Sequence, residues 1–108
     1  MHERRQNRRL HRRFAGSCRI FARGESLLPV SPVRDISRGG MRVMTGSPLS
    51  VGTRSTFGVQ LPDGSEPVDM VGKVVWASAD AMGLAFDVTP PELTAYIASL
   101  EREATPIL

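Results

Sequence analysis

Beyond residue 13 the chain alternates apolar and polar positions over short stretches punctuated by glycine and proline, a period-two pattern that predicts half-buried strands. Phe14–Ala22 carries Cys18, Ile20 and Ala22 at every second position and predicts a first strand. Leu27–Ile36 reads as a second, in which Pro29 and Pro32 remove ladder donors and predict an edge or bulged strand. Ser37-Arg38-Gly39-Gly40 predicts a turn, and Met41, Val43 and Thr45 a third strand. A loop over Gly46–Gly52 leads to a fourth strand at Ser55–Leu61, with Phe57, Val59 and Leu61 on one face. Pro62-Asp63-Gly64 predicts a turn in which Pro fixes φ and Gly accepts a positive φ. Val68–Ala77 is a long fifth strand, Ser78–Met82 a turn and Gly83–Asp87 a sixth strand. The period then changes. Thr89 as N-cap, with Pro90-Pro91-Glu92 in the first turn, predicts a helix whose apolar face is Leu93, Tyr96, Ile97 and Leu100, ended by Pro106. Six short strands with frequent turns and one terminal helix predict a mainly β fold, a six-stranded antiparallel β-barrel with a C-terminal α-helix.

Length and composition fit this picture. At 108 residues the chain suits one small domain, expected as a basic arm at 1–13, a barrel and helix at 14–103 and a short tail at 104–108. No apolar run is long enough to span a membrane, and the charged N-terminus does not read as a secretory signal, so a cytoplasmic protein is expected. Cys18 is the single cysteine and reads as a small buried hydrophobe. The two histidines, His2 and His11, both fall in the arm, which leaves the predicted body without a His-based triad or two-His metal site. No acid and base are paired by spacing. An enzyme is therefore not expected, and no metal or cofactor is called for.

Charge changes the picture more. The formal net charge is +3, yet Arg4, Arg5, Arg8, Arg9, Arg12 and Arg13 face one acid, Glu3, within the first 13 residues, while the remainder holds 8 basic and 10 acidic residues. Lys73 is the only lysine among 14 basic residues. A guanidinium grips phosphate with a planar fork and stacks on flat rings, so an all-arginine arm suits a phosphate-bearing partner with aromatic bases. The arm's arginines recur at spacing four, as Arg5, Arg9 and Arg13 and as Arg4, Arg8 and Arg12. The second candidate segment is Asp35-Ile36-Ser37-Arg38-Gly39-Gly40, where a carboxylate and a hydroxyl alternate with Ile36 and so share one strand face, followed by glycines that allow close backbone approach. Read alone, it is also a turn in which Asp35 and Ser37 cap their own backbone.

Together the two segments resemble the PilZ domain family, whose pattern is an RxxxR arm followed by [D/N]-x-S-x-x-G at a strand. Asp35, Ser37 and Gly40 complete the second motif, and the first fits twice, from Arg5 to Arg9 and from Arg9 to Arg13. Gly72-Lys73-Val74-Val75-Trp76 followed by Met82-Gly83-Leu84-Ala85-Phe86 looks like the family's closing strands. The resemblance implies a six-stranded barrel that is a non-enzymatic receptor for the second messenger cyclic di-GMP. It implies that arm arginines close over the ligand's phosphates and guanine faces while the Asp and Ser take the guanine edge. On that basis the expected site is Arg8, Arg9, Arg13, Asp35, Ser37 and Gly40, with Arg5 in the alternative register. Ligand would neutralise the arm and order it, and the output would pass to an effector protein or to a ligand-bridged dimer. The competing readings are a ligand-independent adaptor on the same fold and a nonspecific nucleic-acid binder. The latter is disfavoured because the chain has few aromatics (Phe14, Phe21, Phe57, Trp76, Phe86 and Tyr96), mostly at predicted core positions.

Overall fold

The computed structural model describes residues 13–14, 18–24 and 28–104. Its strands are β1 (Arg13–Phe14), β2 (Arg19–Ala22), β3 (Ser31–Ser37), β4 (Gly40–Met44), β5 (Arg54–Gln60), β6 (Val68–Ala77) and β7 (Ala81–Val88), followed by helix α1 (Pro91–Ala104). All pairings are antiparallel, and β3 pairs with β2 on one side and β4 on the other, which closes the sheet into a barrel in the order β2-β5-β6-β7-β4-β3. β1 and β2 lie one after the other along the same side of β3: Arg13 is opposite Ile36 and Arg19 opposite Pro32. Six positions on one strand are thus matched by four on the other. The single strand expected over Phe14–Ala22 is two pieces in imperfect register, which together serve as one of the six barrel strands.

Pro29 stays outside β3, so that strand begins at Ser31 rather than Leu27. Pro32 lies inside it, and the neighbouring Val33 N–H donates instead, to the Cys18 carbonyl at 3.0 Å. The strand is internal to the closed barrel, not an edge, and it is bulged between Val33 and Asp35. β7 starts at Ala81, which shortens the expected turn to Ser78–Asp80. The helix cap also shifts by one residue. Leu93 and Thr94 N–H both donate to the Pro90 carbonyl, which makes Pro90 the cap and puts Pro91 at the first helical position, where a missing N–H costs nothing. Gly64 adopts φ +79° in the expected turn.

The barrel is filled by side chains of β2 to β7. Ile20, Val33, Ile36, Val43, Phe57, Val59, Met70, Val74, Met82 and Leu84 are buried, and Leu93 and Ile97 of α1 join this core from one end, with Tyr96 and Leu100 half-buried beside them. Cys18 belongs to it too: it is a free, fully buried thiol, pushed by burial up to about 11.

Candidate functional site

The outer face of the barrel carries the motif, and two bulges aim it. Strict alternation from buried Val33 would turn Asp35 inward, but the extra residue between Val33 and Asp35 shifts the phase. Arg34 and Asp35 both face outward as a result, Ile36 returns to the core and Ser37 faces out again. The second bulge lies between Val74 and Trp76. It inserts Val75, so that Trp76, which alternation from buried Val74 would turn inward, instead stands outside at 37% exposure.

The ladders then set four positions side by side across four strands. Asp35 is opposite Arg42, Arg42 opposite Gly83, and Gly83 opposite Trp76. A parallel row follows: Ser37 is opposite Gly40, Gly40 opposite Ala85, and Ala85 opposite Lys73. Ser37, Gly40 and Ala85 of the second row, all small, line a cleft of about 250 Å³ together with Asp35, Arg42, Trp76 and Gly83.

The glycines here differ in what surrounds them. A Cβ on Gly40 would run into the Leu84 carbonyl of β7. The close backbone approach expected at this residue is therefore an approach of β4 to β7, beneath the cleft. A Cβ on Gly83 would meet Nε1, Cδ1 and Cε2 of Trp76 together, which places the face of the indole over the glycine and leaves the other face toward the cleft and solvent. Gly39 has open space where a side chain would stand. On the opposite wall of the barrel Phe21 covers Gly58 in the same way.

Electrostatically, Asp35 and Arg42 form the core of the site. Nε and Nη2 of Arg42 donate to the same oxygen of Asp35, Oδ2, at 3.0 and 2.5 Å. The Asp35 side chain is 13% exposed and that of Arg42 35%, so solvent screens the pair less than it screens the outer bridges Arg23–Asp69 and Arg54–Asp87. The turn itself is tied to the helix: Arg38 donates Nη2 to Glu101 Oε1 at 2.7 Å and Nε to Oε2 at 3.1 Å.

Of the sequence-predicted site residues, Asp35, Ser37 and Gly40 come together in the cleft. The backbone of Arg13 pairs with Ile36 and that of Phe14 with Asp35, so the end of the arm runs beside the motif. Arg5, Arg8 and Arg9 lie outside the described residues, as does the Arg13 side chain. Sequence reasoning missed Arg42, and it counted Trp76 among the mainly core aromatics and the closing strands without joining it to the motif. Arg42 follows the motif's last glycine by two residues, which on a strand returns it to the Gly40 face, and that spacing was the available signal.

Comparison with known proteins agrees with this geometry. No curated protein sequence matches the chain. An uncharacterised protein of Legionella with a solved crystal structure superposes with a TM-score of 0.57 at 15% identity, over 85% of this chain and 91% of the other, a likeness of fold. The sequence model of the PilZ domain matches residues 3–102. A match across nearly the whole chain, on a closed barrel that brings Asp35, Ser37 and Gly40 to one cleft, settles the matter: the chain belongs to the PilZ domain family.

Proposed function

We propose that this chain is a receptor for cyclic di-GMP that works without catalysis, as its family implies, and that the outer-face cleft is where the ligand docks. The observation that carries the reading is the pairing of Arg13 with Ile36, between Asp35 and Ser37. It roots the arginine-rich arm at the motif, so that arm residues four and five positions upstream, Arg9 and Arg8, are within short reach of anything held there. Arg9 and Arg13 grip the phosphates, with Arg8 assisting, by charge-assisted bonds that a flat, doubly anionic ligand accepts well. Asp35 and Ser37 meet the polar edge of a guanine, and the open face of Trp76 gives a base a surface to stack on. The cleft by itself is smaller than the usual 300–1,000 Å³ or so of a complete small-molecule pocket, which fits a site that the arm finishes.

Ligand neutralises the arm and docks it along β3, an order–disorder switch that changes the surface offered to an effector protein. Among the described residues no helix is long and apolar enough to cross a membrane, and a cytoplasmic switch is the reading we adopt. Isothermal titration with cyclic di-GMP tests the proposal, run beside single-stranded DNA at two salt concentrations. Saturable binding of the dinucleotide is expected. Absence of that binding, with DNA affinity falling steeply with salt, would make the chain a nonspecific phosphate binder.

A further inference from the structure

We propose that Arg42 is a specificity-determining residue of the site and reads the O6 and N7 atoms of a guanine; this rests on the cyclic di-GMP reading above. The inference starts from how Arg42 is held. A guanidinium carries five N–H donors in a fixed plane. The side edge of Arg42, Nε and Nη2, is spent on Asp35 Oδ2 at 3.0 and 2.5 Å. The terminal edge, Nη1 and the outer hydrogen of Nη2, is not used by that pairing, and Arg42 is one of the residues that line the cleft. That edge is the fork which matches the O6 and N7 acceptors of guanine, the commonest base-specific contact an arginine makes.

The neighbours fix where a base would lie. On the side of Arg42 away from Asp35 stands Gly83, with no side chain of its own, and over it the face of the Trp76 indole. A base stacked on that indole is offset sideways from the Arg42 backbone by one strand spacing, about 4.8 Å, and raised above the sheet by the indole and the stack, a height that the long side chain of Arg42 can span. The charge of Arg42 is balanced by Asp35, so the fork acts through its direction more than through net charge. Adenine presents an amino donor where guanine presents O6, so a fixed donor fork there rejects it. Arg42 thus supplies a discrimination that arginines gripping phosphate do not.

The test titrates the wild type, Arg42→Ala and Arg42→Lys with cyclic di-GMP, cyclic di-IMP and cyclic di-AMP. Hypoxanthine keeps O6 and N7 and lacks the 2-amino group. Arg42→Ala is expected to bind cyclic di-GMP about tenfold more weakly, as the loss of one bidentate base contact implies, and cyclic di-IMP weaker by the same factor, with cyclic di-AMP unchanged. Arg42→Lys keeps the charge without the fork and recovers little of the loss; it also carries the test if the alanine variant fails to fold. A loss confined to cyclic di-GMP would show Arg42 acting only at the 2-amino group through Asp35, and overturns the proposal. An equal loss for cyclic di-AMP would make it a phosphate contact, and unchanged affinity would remove it from the site; either overturns it as well. A wild type that does not bind cyclic di-GMP overturns the family-based reading instead.

Discussion

Replacing Gly40 by alanine adds one methyl group, and the structure says where it goes. The new Cβ collides with the main-chain carbonyl of Leu84 on β7. A side chain could rotate away from such a clash; a ladder backbone cannot, because Gly40 and Ala85 are opposite partners and Phe86 N–H is bonded to the Gly39 carbonyl at 3.0 Å. Either β4 and β7 separate at this end or the strands buckle. Forced overpacking of this kind costs about 1–3 kcal/mol. For a domain of this size each kcal/mol lowers the melting temperature by about 4–8 °C, so a drop of roughly 5–20 °C is expected. Gly39→Ala is the internal control. Its methyl group enters open space, its φ is not positive, and it should melt within a few degrees of wild type. The assay is a thermal melt followed by far-UV circular dichroism for the three proteins under one set of conditions. A Gly40→Ala melt indistinguishable from that of Gly39→Ala would refute the packing argument and leave the motif's last glycine to be explained by ligand contact alone.

Gly83→Ala meets a movable indole instead of backbone, so it should evict Trp76 with a smaller loss of stability than Gly40→Ala, and fluorescence of the sole tryptophan should shift to longer wavelength. Arg9→Ala should weaken cyclic di-GMP binding by about 2–3 kcal/mol, as loss of a charge-assisted bond implies, with an unchanged far-UV spectrum; unaltered affinity by titration removes that arginine from the site. A chain starting at Arg13, which keeps β1, should fold and melt as the full chain does but not bind the dinucleotide; failure to fold would make the arm a structural element. The Cys18 thiol titrates near 11 when folded against an ordinary value of 9.0, so unfolded chains ionise first. Its contribution to stability is therefore whole below pH 9 and lost as pH rises toward 11, and urea unfolding midpoints that stay level across that window, once compared with Cys18→Ala, would contradict its burial.

Period and turn chemistry carried the architecture a long way. The helix face was legible because Leu93, Tyr96, Ile97 and Leu100 keep one period throughout, and the bounds of β6 because turn residues flank the run Val68–Ala77 on both sides. What broke the period was not legible. The bulges before Asp35 and before Trp76 each add a residue with no special side chain, and a pattern of alternation has no way to count it. Likewise the step between β1 and β2 hides inside an unbroken run from Phe14 to Ala22. Asp35, Ser37 and Gly40 could be found as a local motif because they lie within six residues. The link from Asp35 to Arg42 needs the β3–β4 register, and the place of Trp76 over Gly83 needs a second register as well. The bridge from Arg38 to Glu101 spans the barrel and its helix, and no local spacing encodes it.

The row that crosses the cleft also has a history in folding. Asp35 and Arg42 sit in the hairpin of β3 and β4, Gly83 and Trp76 in that of β6 and β7, and the β4–β7 ladder joins them at Gly40–Met44 and Ala81–Ala85. Each hairpin closes through neighbours in sequence, whereas the joining ladder unites segments about forty residues apart and bears the larger loop-closure cost. The two halves of the cleft are therefore assembled by the seam, and any sub-global opening that parts β4 from β7 dismantles it. A ligand that bridges both halves binds only the closed form and so draws the opening equilibrium shut, in proportion to its concentration over its dissociation constant. The amides of that seam, more than those of β2 or β5, are where occupancy of the cleft would register as slowed hydrogen exchange.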